Sequence, residues 1–192
     1  QTENQALVAV GHLQAVGSEI AEKDYSERTI IGGLECVSPD VFDERIAYTA
    51  LGHIHKAQRV SGKEHVRYAG SPLPMSFAER NYHHGAVLVT LADGKLQSIE
   101  KLPYHPLVSL LSVPSGEAVS PGEVLELLSS LPPREEELPA PYLEIKVLLA
   151  EPEPMFRNEV EELVKDKQVR LARIVSSYRK ESVSASEEKV VE

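Results

Sequence analysis

Apolar positions in the first half of the chain come in short blocks rather than in long helical stripes. "ALVAVGHL" (6–13) is a compact apolar run that stops at Gly11, and "RIAYTALGH" (45–53) repeats the pattern and stops at Gly52. Blocks this short, partly β-branched and ending in glycine, predict buried strands whose ends face a site. Between them the polar stretch 17–29 predicts a surface loop. "SPDVF" (38–42) supplies an N-cap followed by proline at the first helical position, which predicts a short helix. Downstream, "QRVSGKEHVRYAG" and "GAVLVTLADGKLQSIEKL" are alternating runs broken by Ser-Gly and Asp-Gly, both hairpin turn signals. The segment 57–102 is therefore expected to be a meander of antiparallel strands.

The pattern changes near "PYHPLVSL" (103–110). Beyond it the expected order is strand 107–113, helix 121–131, strand 142–149, helix 153–166 and strand 168–177. Ser120, Pro121 and Glu123 in "SPGEVLELL" form a capping box that starts the first helix, and Pro132 and Pro133 end it. In the second helix Phe156, Val160, Leu163 and Val164 fall on one apolar face. The fold expectation is α+β: a strand-rich part over 1–103, a small βαβαβ domain over 104–180, and an acidic disordered tail over 181–192. No internal repeats are present.

Composition narrows the function classes. Of the 192 residues, 42% are apolar and 26% charged, as in a soluble globular protein. No apolar run approaches the ~20 residues that span a bilayer, so no membrane partner is expected. The start, "QTENQ", has neither the basic nor the apolar region of a signal peptide. The single cysteine, Cys36, excludes an intramolecular disulfide and fits a reducing, cytoplasmic compartment; it reads as a small buried apolar residue. A net charge of -10 argues against broad coating of nucleic acid, but not against an enzyme that reaches phosphates through bound cations.

Three of the seven histidines share a context. His12 follows Gly11 and His53 follows Gly52, each at the end of an apolar run, and His55 lies two residues further on. If the two runs are neighbouring strands, all three imidazoles meet at one sheet edge, where open α/β sheets place ligands. In an extended chain His53 and His55 would be roughly 7 Å apart. That suits two ions held about 3.5–4 Å apart, each taking one of the pair. Imidazole ligates many transition metals, so these residues do not set the metal. Spacing alone leaves the other reading open, in which the histidines only cap strands or hydrogen-bond. No Asp or Glu lies within five residues of His12 or His53 to bridge two ions.

"ALGHIHKAQ" (50–58) followed by "VRYAGSPLPMSFAE" (66–79) resembles the SbcD-type nuclease subunits of the calcineurin-like metallophosphoesterase family, and "VAVGHLQAVGSE" (8–19) resembles a preceding motif of that family. Gly-His-x-His points to metallophosphoesterases in general; the stretch through "GSPLPMSF" points to the SbcD branch. The resemblance runs from about residue 5 to 180. It implies that His12 and His53 ligate one metal ion and His55 the other, and that the two divalent ions are manganese. The family's Asp-x-His, bridging Asp and Asn-His motifs occur nowhere in this sequence. The resemblance therefore implies part of a metallophosphoesterase β-sandwich followed by a capping domain.

The implied activity is metal-dependent hydrolysis of double-stranded DNA ends and hairpins, exonucleolytic and endonucleolytic, in repair and recombination, with this chain inactive by itself. The implied partners are double-stranded DNA and an SbcC-type SMC-like ATPase, with two nuclease subunits in a heterotetramer. Two rivals stand beside it: a non-catalytic capping module that docks DNA or the ATPase, and a phosphoesterase acting on a small phosphoester.

Other polar residues are weaker candidates. Ser71, Lys56 and Arg67 could contact DNA phosphates, the two cations as part of a basic cluster with Arg59, Lys63 and Arg80. A solvated face and a proline-stiffened loop are the plain alternatives. His83 and His84 read as a solvated loop pair, His65 as an exposed turn residue, and His105 as packing or hydrogen-bonding between the two domains.

Overall fold

The computed structural model describes residues 5–19 and 36–179. The predicted loop 17–29 lies mostly, and the predicted acidic tail wholly, outside the described residues. The chain divides into two compact units, Gln1–Leu107 and Val108–Glu192.

In the first unit, strands β1 (Val8–His12), β2 (Tyr48–Gly52), β3 (Gln58–Val60) and β4 (Lys63–Tyr68) form one sheet in the order β1-β2-β4-β3. β1 pairs parallel with β2, and β2 parallel with β4. The expected simple meander is thus not what forms. β3 and β4 do make an antiparallel hairpin, but β4 rather than β3 lies beside β2. The reason lies in the side chains. Val66 and Tyr68 on β4 are almost wholly buried and can fill the centre of the sheet, whereas Arg59 on β3 is exposed and suits an edge.

Strands β5 (Gly85–Ala92) and β6 (Lys95–Pro103) form a separate antiparallel pair. Both predicted turns form: Ser61-Gly62 and Asp93-Gly94 carry positive φ at both central residues, 48° and 75°, then 49° and 75°. "SPDVF" makes only one 3₁₀ turn, Pro39–Val41, in which the Ser38 hydroxyl accepts the Asp40 N–H. The core of this unit is Ala15, Phe42, Leu51, Ile54, Val60, Val66 and Tyr68. Tyr68 ties it together, because its hydroxyl accepts the Ala15 N–H at 2.8 Å and donates to the Leu13 carbonyl at 2.9 Å.

The second unit follows the predicted order: β7 (Leu110–Val113), α1 (Pro121–Ser129), β8 (Tyr142–Leu149), α2 (Phe156–Val164) and β9 (Arg170–Tyr178). Its three strands are parallel in the order β7-β8-β9. A parallel pair needs a crossover, and the two helices provide it. Alternate residues of β8 (Leu143, Ile145, Val147 and Leu149) share a core with Val124, Leu128, Phe156, Val160 and Val164 of the helices. On the other side of β8 the buried Glu144 accepts from Arg173 Nε at 2.7 Å and Ser112 Oγ at 2.8 Å, so its charge is paired. The chain is thus mixed α and β and strand-rich. Among the described residues no helix is long and apolar enough to cross a membrane.

Candidate metal centre

Parallel pairing of β1 and β2 brings both strand ends to one edge of the sheet, the condition for the histidines to meet. The register sets His12 opposite Gly52. The imidazoles of His12 and His53 lie edge to face, with centroids 5.3 Å apart and planes at 74°. Gly52 makes this possible by lacking a side chain: a Cβ there would lie 2.9 Å from His12 Nδ1. Gly52 itself stays within β2. The backbone turn falls instead on His53, whose φ is 100°, a region that L-residues rarely occupy.

His55 stands beyond the strand, in a bend, because the buried Ile54 anchors the residue between the two histidines in the core. Its Nδ1 lies 2.8 Å from Glu79 Oε1. The Glu79 side chain is fully buried, and its other oxygen accepts the Met75 N–H at 2.9 Å.

The segment from Gly70 to His84 wraps around His55. The Ser71 N–H donates to the His55 carbonyl at 3.0 Å. Gly70, at φ 83°, lets the backbone come this close, since a Cβ would meet the His55 carbonyl oxygen at 2.8 Å. His84 braces the same loop, with Nδ1 3.1 Å from the Ser71 carbonyl oxygen and Nε2 3.1 Å from that of Glu79.

Several sequence expectations change here. Ser71 is buried, with its hydroxyl 3.2 Å from His84 Nδ1, so it faces the loop interior. His84 is buried while His83 is exposed, so the two are not a solvated pair. His65 lies half-buried on β4 rather than exposed in the turn, and its Nε2 is buried without a hydrogen bond. Cys36 is exposed, not buried. Sequence reasoning does not single out Glu79, because it is 24 residues from its partner His55. Its one sequence signal is its place as the last residue of "GSPLPMSFAE".

The basic residues are largely engaged. Lys56 pairs with Glu19, and Arg59 and Arg67 both pair with Glu64. The Glu19 carboxylate beside Lys56 raises the ammonium pKa above its ordinary value, and the two guanidiniums lower that of Glu64. Lys63 Nζ donates to the carbonyls of Pro39 and Phe42. Lys56, Arg59, Arg67 and Lys101 line one open cleft.

The donor set matches a transition-metal site in type: two neighbouring imidazoles and a third backed by a carboxylate. It does not complete one. Among the described residues no group of three or more His, Cys, Asp or Glu side chains converges where an ion could be held.

Comparison with known proteins gives one family model and several relatives. Residues 106–192 match the family model SbcD_C, described as the type 5 capsule protein repressor C-terminal domain. The SbcD subunit of nuclease SbcCD from Escherichia coli is 40% identical over 114 residues, covering 59% of this chain and 28% of the relative. The protein of the same name from Rhodobacter capsulatus is 36% identical over 125 residues, 65% of this chain and 30% of the relative. That from Bacillus subtilis is 37% identical over 90 residues, 46% of this chain and 22% of the relative. Over these stretches the chain is similar to SbcD-type subunits. It spans less than a third of the length of these curated relatives.

Proposed function

We propose that this chain supplies the last histidine motifs and the C-terminal domain of an SbcD-type nuclease. His12 and His53 would hold one divalent ion, and His55 a second, manganese being the expected metal. The single observation behind this reading is that two separate parallel strands deliver His12 and His53 to one edge, with rings 5.3 Å apart. When bound, such ions polarise a phosphodiester and activate water for its hydrolysis. The chain's own residues bind and orient: the histidines fix the ions, and the cations of the cleft lined by Lys56 and Arg67 would meet DNA phosphates once their carboxylate partners yield.

With no set of three ligands together among the described residues, this chain alone should bind metal weakly and leave DNA intact. In the intact protein the first unit would be part of a metallophosphoesterase sandwich and the second a capping domain. The substrate would be double-stranded DNA ends and hairpins, and the partner an SbcC-type ATPase with two nuclease subunits in the assembly. The names of the relatives support this reading.

His55→Ala in the intact protein should reduce manganese-dependent cleavage of linear double-stranded DNA to background. Unchanged cleavage would overturn the ligand assignment.

A further inference from the structure

The carboxylate against His55 is unusual in its setting. The Glu79 side chain is fully buried, and a buried carboxylate persists only when its oxygens are matched by donors. One oxygen accepts the Met75 N–H at 2.9 Å and the other faces His55 Nδ1 at 2.8 Å. A backbone N–H can only donate, so it keeps the oxygen it meets an acceptor. An ionised carboxylate can only accept, so across the Oε1–Nδ1 contact the imidazole is the donor and carries the proton. A neutral ring protonated on Nδ1 carries its lone pair on Nε2, the nitrogen left to act as a metal ligand.

The loop is built to hold this contact. Phe77–Glu79 is a 3₁₀ turn, closed on the side of Ser76 by the Glu79 N–H donating to the Ser76 carbonyl. The Glu79 carbonyl faces His84 Nε2, and Ser71 grips the His55 carbonyl. Glu79 is thus fixed by its backbone as well as by its side chain.

We propose that Glu79 is the positioning residue of His55. It sets the Nδ1–H tautomer and fixes the ring orientation, so that Nε2 presents its lone pair to a divalent metal ion. The proposal rests on His55 being a metal ligand, as set out above. It also gives the "GSPLPMSFAE" stretch a physical task, which is to carry a buried carboxylate to a histidine 24 residues away.

Glu79→Gln separates the possibilities without changing side-chain size. The Met75 N–H would still require an acceptor and orient the amide oxygen toward itself. The amide NH₂ would then face His55 Nδ1 and donate to it, driving the ring proton to Nε2. Long-range ¹H–¹⁵N spectra of the histidine rings in the 192-residue chain, at mildly alkaline pH and without metal, read this directly. The wild-type chain should show His55 as the Nδ1–H tautomer, and Glu79→Gln should shift it to Nε2–H.

In the intact protein, manganese titration by calorimetry should show binding about 10–100-fold weaker for Glu79→Gln. An Nε2–H tautomer in the wild type overturns the proposal, and that measurement needs no variant to fold. Unchanged tautomer and affinity in Glu79→Gln overturn it as well. If His55→Ala leaves manganese affinity unchanged, the ligand assignment itself falls and takes this proposal with it. If His55→Ala weakens binding while Glu79→Gln does not, only the role of Glu79 falls.

Discussion

At the scale of single residues, the site depends on a division of labour between Gly52 and His53 that sequence alone misplaces. A glycine before a histidine suggests that the glycine makes the turn. Here Gly52 stays in the strand and leaves room for the His12 ring, while His53 takes the positive φ of 100°. A non-glycine residue held there stores strain of order 1–3 kcal/mol, and such residues cluster at functional sites. The arrangement predicts an inversion of the usual order of substitutions. His53→Gly should be more stable than His53→Ala by about 1–3 kcal/mol, because only glycine relieves the strained backbone. Urea denaturation of the two variants checks this; equal midpoints would show that φ at 53 carries no cost. Legibility at this scale follows sequence distance. His12, His53 and His55 are visible because each sits in a local pattern, whereas Glu79 and the buried His84 act through contacts made only by folding.

At the scale of elements, helices and turns are the easiest features to read, since both are specified by neighbours in the chain. The capping box at α1 shows why. Glu123 Oε2 accepts from the Ser120 N–H at 3.0 Å and from its hydroxyl at 2.5 Å. Those hydrogen bonds, the hydroxyl's first, lower the Glu123 pKa below its ordinary value of 4.5. A carboxyl whose folded pKa is depressed stabilises the fold above its unfolded pKa, and that contribution fades as pH falls through the folded one. Thermal unfolding between neutral pH and pH about 3 should therefore show a steeper acid loss in the wild type than in Glu123→Gln, which keeps a capping side chain but no titrating group. Parallel curves would mean that the box does not contribute. The strand order is harder to read. The Ser61-Gly62 turn signals a β3–β4 hairpin but cannot say which of the two strands joins β2. Burial of Val66 and Tyr68 settles that, and it depends on the whole sheet.

At the scale of the molecule, each unit keeps its own hydrophobic core. That of the second unit draws on all three strands and both helices, with Val124, Leu128, Leu143, Ile145, Val147 and Val160 essentially inaccessible to water. All three strands in its sheet pair within the unit, and its buried Glu144 finds Ser112 and Arg173 there too. These core and polar contacts call on no residue before Val108. A unit of this kind meets the requirements for independent folding, although at this size the margin is small. Residues 108–192 expressed alone should therefore unfold in one cooperative urea transition, followed by circular dichroism. The candidate ligands all lie in the first unit, so this segment should bind no manganese. A non-cooperative transition would mean that the core is incomplete without the first unit. Manganese binding to the isolated segment would place a site outside the histidine motifs.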